Sequence, residues 1–150
     1  MKDKIDRSVM GALGGIIGGL GMMVYFWIID IFLPSPQVKI MNIAHLFIPQ
    51  GQDHNLWGNI LGYTAHFTVA ALLGIIFINI FRITGRDWAF TKGIIFGAAT
   101  WVLLHGITAN LLDLPQQTGI PLAFALLGGH LVFGIITSLS IAWFSSKLKL

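Results

Sequence analysis

Four long apolar runs organise this sequence, at about residues 9–32, 57–81, 93–112 and 121–144. Each is long enough to cross a hydrocarbon core, which takes ~20 helical residues. Backbone polar groups in lipid must be satisfied within their own segment, so the runs predict helices. None shows the period-two alternation of a membrane barrel strand. The expected fold is an all-α membrane protein, a four-helix transmembrane bundle forming one domain. The first run is too long for the apolar region of a signal peptide and is read as a retained helix.

Polar residues punctuate the runs. Pro34 and Pro36 end the first, Thr84-Gly85 breaks the second, Asp87 is placed to cap the third, and Pro115 and Pro121 bracket the third loop. The second and third loops are short, so spans two, three and four are expected to be antiparallel neighbours. The first loop is longer. Ser35-Pro36 reads as a helix start, followed by Val38, Ile40, Met41, Ile43, Ala44, Phe47 and Ile48 before Pro49. That pattern predicts one short amphipathic helix, in the outer interface or folded over the bundle mouth as a lid.

Charge then sets the orientation. Lys2, Lys4 and Arg7 precede span one, Arg82, Arg86 and Lys92 follow span two, and Lys147 and Lys149 follow span four; the other two loops hold only Lys39. By the positive-inside rule both termini are cytoplasmic.

Composition agrees with a membrane location. Of 150 residues, 55% are hydrophobic and 10% charged, with a mean hydropathy of +0.80. An average soluble domain carries about 25% charged residues. The absence of Cys excludes disulfides, thiolate catalysis and Cys-ligated metals. The basic residues flank apolar runs, which points to lipid headgroups and topology rather than nucleic acid. No nucleophile elbow, P-loop or paired carboxylates support a hydrolase.

Span one carries a small-residue stripe, Gly11, Gly15 and Gly19, with Gly14 and Gly18 beside it. The spacing recurs at Gly58 and Gly62 and at Gly93 and Gly97. Such stripes let helices approach closely. They serve either packing within the chain or a homo-oligomer or larger membrane complex built through the Gly11/Gly15/Gly19 face. The order of features also suggests an internal parallel duplication, with Gly62 to Phe67 matched to Gly129 to Phe133.

Three histidines lie inside the runs. A rise of ~1.5 Å per residue places His66 and His130 about 13 Å, and His105 about 10 Å, below one membrane face. Ionisable groups at such depth need partners. Three readings stay open for this layer: hydrogen-bonded glue between helices, a b-haem or a transition metal held by His66, His105 and His130, or a pH-responsive proton or small-solute conduit. Tyr63, Thr108, Asn110, Asp113 and Asp30 are the candidates to support the ligands. His45 and His54 read as surface residues, Asn79 as glue, and Tyr25, Trp27, Trp57, Trp88 and Trp143 as an interfacial belt.

Gly62-Tyr-Thr-Ala-His66-Phe, Lys92-Gly-Ile-Ile-Phe-Gly97 with Trp101 and His105-Gly106, and Gly128-Gly129-His130-Leu-Val-Phe133 resemble small bacterial inner-membrane proteins of the YagU and YqhR type. The resemblance covers spans two to four. It implies a four-helix protein of the bacterial inner membrane, with no established reaction and a loose link to acid tolerance. The leading expectation is a non-enzymatic structural or interaction protein, or a membrane subunit of a larger assembly.

Overall fold

In a computed structural model, the structure describes residues 6–32, 48, 55–108, 111 and 119–147. Four apolar helices dominate it: α1 (Arg7–Phe32), α2 (Leu56–Thr84), α3 (Ala89–Thr100, continued as a π-helix over Trp101–Thr108) and α4 (Ile120–Lys147). All four are long and apolar enough to span a membrane. The expected interfacial helix, its Pro34, Pro36 and Pro49, and His45 and His54 lie outside the described residues, as do Asn110 and Asp113.

Local chemistry accounts for the helix ends. The Asn55 side chain caps α2 by accepting from the Gly58 N–H at 2.8 Å. Gly85, at φ 77°, ends α2 in a conformation that favours glycine. Asp87 does not cap α3. The cap position is Trp88, left-handed at φ 59° and without a side-chain cap bond. The Lys92 ammonium performs the joining role instead, donating to the carbonyls of Thr84 and Gly85 at 2.9 Å each. It places a cation on the negative C-terminal end of α2.

Close backbone packing runs in the order α2, α1, α4, α3. The expected intimacy of α2 and α3 is therefore corrected: α2 takes α1 as its close neighbour, and α3 takes α4. Glycine decides this. A methyl group at Gly11 would stand 2.8 Å from the Gly74 carbonyl oxygen, and one at Gly15 would collide with the Ala70 carbonyl. On the next face, a methyl at Gly14 would strike the Ile141 side chain, and one at Gly18 would meet Thr137 and the Phe133 carbonyl. Both stripes of α1 are consumed inside the chain. An oligomer built on Gly11, Gly15 and Gly19 would have to displace α2, so that assembly route is withdrawn.

The α3/α4 contact repeats the α1/α2 contact almost atom for atom. A methyl at Gly93 would sit 2.8 Å from the Gly134 carbonyl oxygen, and one at Gly97 would collide with the His130 carbonyl. Methyl groups at Gly74 and at Gly134 would lie 2.7 Å from the amides of Gly15 and Gly97 respectively. The two hairpins are thus one pattern used twice. The register differs from the sequence match by one turn: Ala70, not His66, corresponds to His130.

The pattern also explains the loose side of the bundle. Three residues beyond Gly11 and Gly15 stand Gly14 and Gly18, which admit α4. Three residues beyond Gly93 and Gly97 stand Phe96 and Thr100. A phenyl ring thus occupies the place where the first hairpin has no side chain. Phe96 meets Phe77 at 4.6 Å between ring centroids and Phe133 at 6.4 Å, while Phe77 also meets Phe81 at 4.7 Å. The α2/α3 seam is filled with rings instead of backbone, at about 0.5–1.5 kcal/mol per aromatic pair beyond area burial.

Two outcomes follow from this packing. Gly15→Leu and Gly97→Leu are each expected to destabilise the bundle by several kcal/mol, since about 1–3 kcal/mol is typical of overpacking and here the obstacle is backbone. Gly106→Ala, whose methyl would meet nothing within 4 Å, is expected to be neutral or slightly stabilising. Reversible unfolding in mixed detergent micelles checks all three. Phe96→Ala is expected to cost about 3–5 kcal/mol and to shorten the α2–α3 distance between paired spin labels. The native chain has no Cys to interfere with that labelling.

Candidate functional site

The sequence places its three intramembrane histidines on three helices, and the fold turns each of them partly inward. His66 on α2, His105 on the π-helical part of α3, and His130 on α4 are all half-buried. His130 lies within electrostatic range of both His66 and His105.

Their hydrogen bonds differ. His130 Nδ1 lies 2.8 Å from the Leu126 carbonyl of its own helix. A carbonyl only accepts, so the Nδ1 proton is fixed there and the lone pair of the neutral ring lies on Nε2. His66 Nε2 lies 3.5 Å from the Gly19 carbonyl, a long contact that spans α2 and α1, and its ring stacks edge-on with Phe67. No hydrogen bond to the His105 ring is found among the described residues.

The geometry separates the readings made from the sequence. His66 acts as weak glue between helices, whereas His130 is spent on its own helix. Among the described residues no three histidine or acidic side chains form a set able to hold a metal ion. Two of the rings, His66 and His130, are turned to carbonyls on different helices. The supporting residues are also dispersed. Tyr63 and Asp30 are exposed, and Thr108 donates to the Leu103 carbonyl of its own segment. Asn79 likewise bonds its own helix, at the Ile75 carbonyl.

Two further aromatic residues, Trp101 and Tyr25, turn inward, and of these the sequence places only Tyr25 elsewhere, in the interfacial belt. Trp101 begins the π-helical segment, and its indole Nε1 is buried without a hydrogen-bond partner. Its spacing from His105, one turn away, was the available signal. Tyr25 is not part of the interfacial belt: its hydroxyl lies against Gly128, where a methyl group would collide with it, and its ring packs on the core. Trp27, Trp57, Trp88 and Trp143 are exposed, as a belt requires.

The π-helical segment shapes the space around these groups. The α-helical part of α3 buries Gly93, Phe96, Gly97 and Thr100, but Trp101–Thr108 buries no residue. Beyond Thr100 the third helix thus leaves its close contact with α4. Runs of π-helix are rare and recur at functional positions. An apolar pocket of about 340 Å³ opens beside the start of α2, lined by Ile48, Asn55, Trp57 and Leu61 among others, and His66, His105 and His130 are not among its lining residues.

Comparison with curated proteins gives no match, and comparison with solved structures gives none. A family model does match, over residues 5–149. The chain, four apolar helices with a half-buried histidine layer, belongs to the DUF6789 family, a family of unknown function.

Proposed function

We propose that the protein is a small, non-enzymatic integral membrane protein that acts through structure and association, as a membrane subunit or a partner-binding bundle. One observation carries this reading. Among the described residues every side-chain hydrogen bond goes to or from backbone: Thr64, Thr68, Thr84, Thr100, Ser138 and His130 all bond carbonyls. A nucleophile, a base and an orienting group would instead be linked side chain to side chain. Of these bonds only Ser138 to the Ala89 carbonyl joins two helices; the others satisfy a polar side chain on its own helix.

The surface left for association lies away from the glycine stripes. The α3 helix has a single close neighbour, and Ile95, Val102, Leu103 and Ile107 on it are exposed. Basic residues at the end with the α2–α3 turn, Arg7, Arg82, Arg86 and Lys147, favour a cytoplasmic position for that end and for both termini. The likeness to YagU and YqhR type proteins favours a bacterial inner membrane.

Single cysteines at Ile95 and Val102 in native membranes are expected to give discrete cross-linked products above the 16.4 kDa chain. A chain that stays monomeric at both positions, and at matched positions on α1, would overturn the association reading. A cysteine at Arg86 is expected to resist membrane-impermeant reagents in intact cells and to react after lysis; reaction in intact cells would reverse the orientation.

A further inference from the structure

The two hairpins share one packing pattern as far as Gly15 and Gly97 and then part. Four residues further on, α1 has Gly19 and α3 has Trp101. On the facing helices, the register that pairs Ala70 with His130 puts Leu126 where the first hairpin has His66, and Leu122 where it has Gly62. Leu122 and Leu126 are buried in the core, and Trp101 packs against it. Trp101 and Leu122 thus bring bulk to places that glycine holds in the first hairpin. The outer part of α3 does not follow α4 as α1 follows α2. From Trp101 it winds as a π-helix to Thr108, and none of these eight residues is buried.

Unusual backbone persists where the surrounding packing over-determines it. The inner part of α3 is held in that way, by Gly93 and Gly97 against α4 and by Ser138, whose hydroxyl donates to the Ala89 carbonyl. The π-helical part is not: Val102, Leu103, Leu104 and Ile107 are all exposed. One hydrogen bond registers the winding directly. Thr64, Thr68 and Thr84 each donate to a carbonyl four residues back, the reach of an α-turn. Thr108 donates to the Leu103 carbonyl, five residues back, at 2.8 Å. Under α winding the same hydroxyl would reach the Leu104 carbonyl instead. That bond is exchanged, not lost, so it fixes neither winding.

We propose that Trp101–Thr108 is a two-state arm, which interconverts between π and α winding about a pivot at Thr100 and Trp101 while the glycine contact with α4 stays closed. An α-turn closes on four residues and a π-turn on five, so the exchange turns Thr108 about the helix axis by roughly a third of a turn. His105 and the exposed side chains of Leu103 and Ile107 turn with it. The arm changes which side chains it shows to its surroundings without unpacking the bundle. This goes beyond the structural reading above and requires no partner.

The test is electron paramagnetic resonance of paired nitroxides on the full chain in lipid nanodiscs. One pair is placed through Ile107→Cys and Phe124→Cys, and a reference pair through Ile95→Cys and Leu139→Cys, all four positions being exposed. Two distance populations are expected for the Ile107 pair and one for the reference pair. Deletion of Leu104 puts Leu103 four residues before Thr108, which keeps their hydrogen bond under α winding, and is expected to leave the Ile107 pair with a single population. A single narrow population in the chain of native length would overturn the proposal. So would a continuous spread of distances, the mark of a fraying end, or two populations that persist in the folded deletion variant. If thermal unfolding shows that the deletion variant has lost its fold, the carbonyl carbon NMR signals of Leu103 and Leu104 in the native chain decide: doubled signals are expected, and single ones would refute the arm.

Discussion

Backbone-to-backbone approach at glycine is the constraint on which this bundle rests. In lipid, helices gain little by hiding apolar surface from one another, because the acyl chains are as apolar as leucine. Association must come from close contact, and close contact needs the absence of side chains. Gly11, Gly15, Gly74, Gly93, Gly97 and Gly134 supply it by letting one helix rest on the carbonyls and amides of the next. Each hairpin is locked in this way before any polar side chain contributes.

The same rule, applied unevenly, makes the fold asymmetric. Two hairpins of one design would be expected to meet through two equivalent seams. The α1/α4 seam follows the rule, with Gly14 and Gly18 on Ile141, Thr137 and Phe133. The α2/α3 seam departs from it, with Phe96 and Thr100 in the corresponding places. Lys92 and the phenylalanine rings pin that seam at one end. Beyond Thr100 no comparable ring contact or ammonium joins α2 and α3 among the described residues. The share of the spanning stretch buried inside the bundle falls accordingly, to 22% in the third helix against 44% in the fourth. His105 lies where the packing rule lapses, whereas His130 lies in the α3/α4 glycine contact and His66 beside Gly19 of α1.

Much of the helical layout was legible from residues. Apolar run length placed four helices, and Thr84-Gly85 marked the end of α2, because these signals are local. The glycine stripes announced close packing but not its partner, since a small-residue face fits any other such face. Hence the Gly11/Gly15/Gly19 face looked free for a second copy when α2 already fills it. Depth counting put His66, His105 and His130 in one layer, but rotation about each helix axis cannot be counted. The carbonyl to which His130 turns, and the π-helical winding that carries His105, depend on packing and leave no pattern in the sequence. Trp101 was obscured for the same reason: an aromatic residue inside an apolar run carries no mark of an unmet donor.

The winding of Trp101–Thr108 has a further consequence for how the family can vary. A π-helical stretch stores more residues per turn than its neighbours, and here it follows directly on the helix that carries the glycine contact at Gly97. One residue gained or lost inside it falls after the Gly93/Gly97 contact and can be absorbed by tightening or loosening the coil, without rotating that face off α4. The same change within α1 would carry both of its glycine stripes past their partners. Length variation in this fold has a natural home, and it is the segment that presents His105.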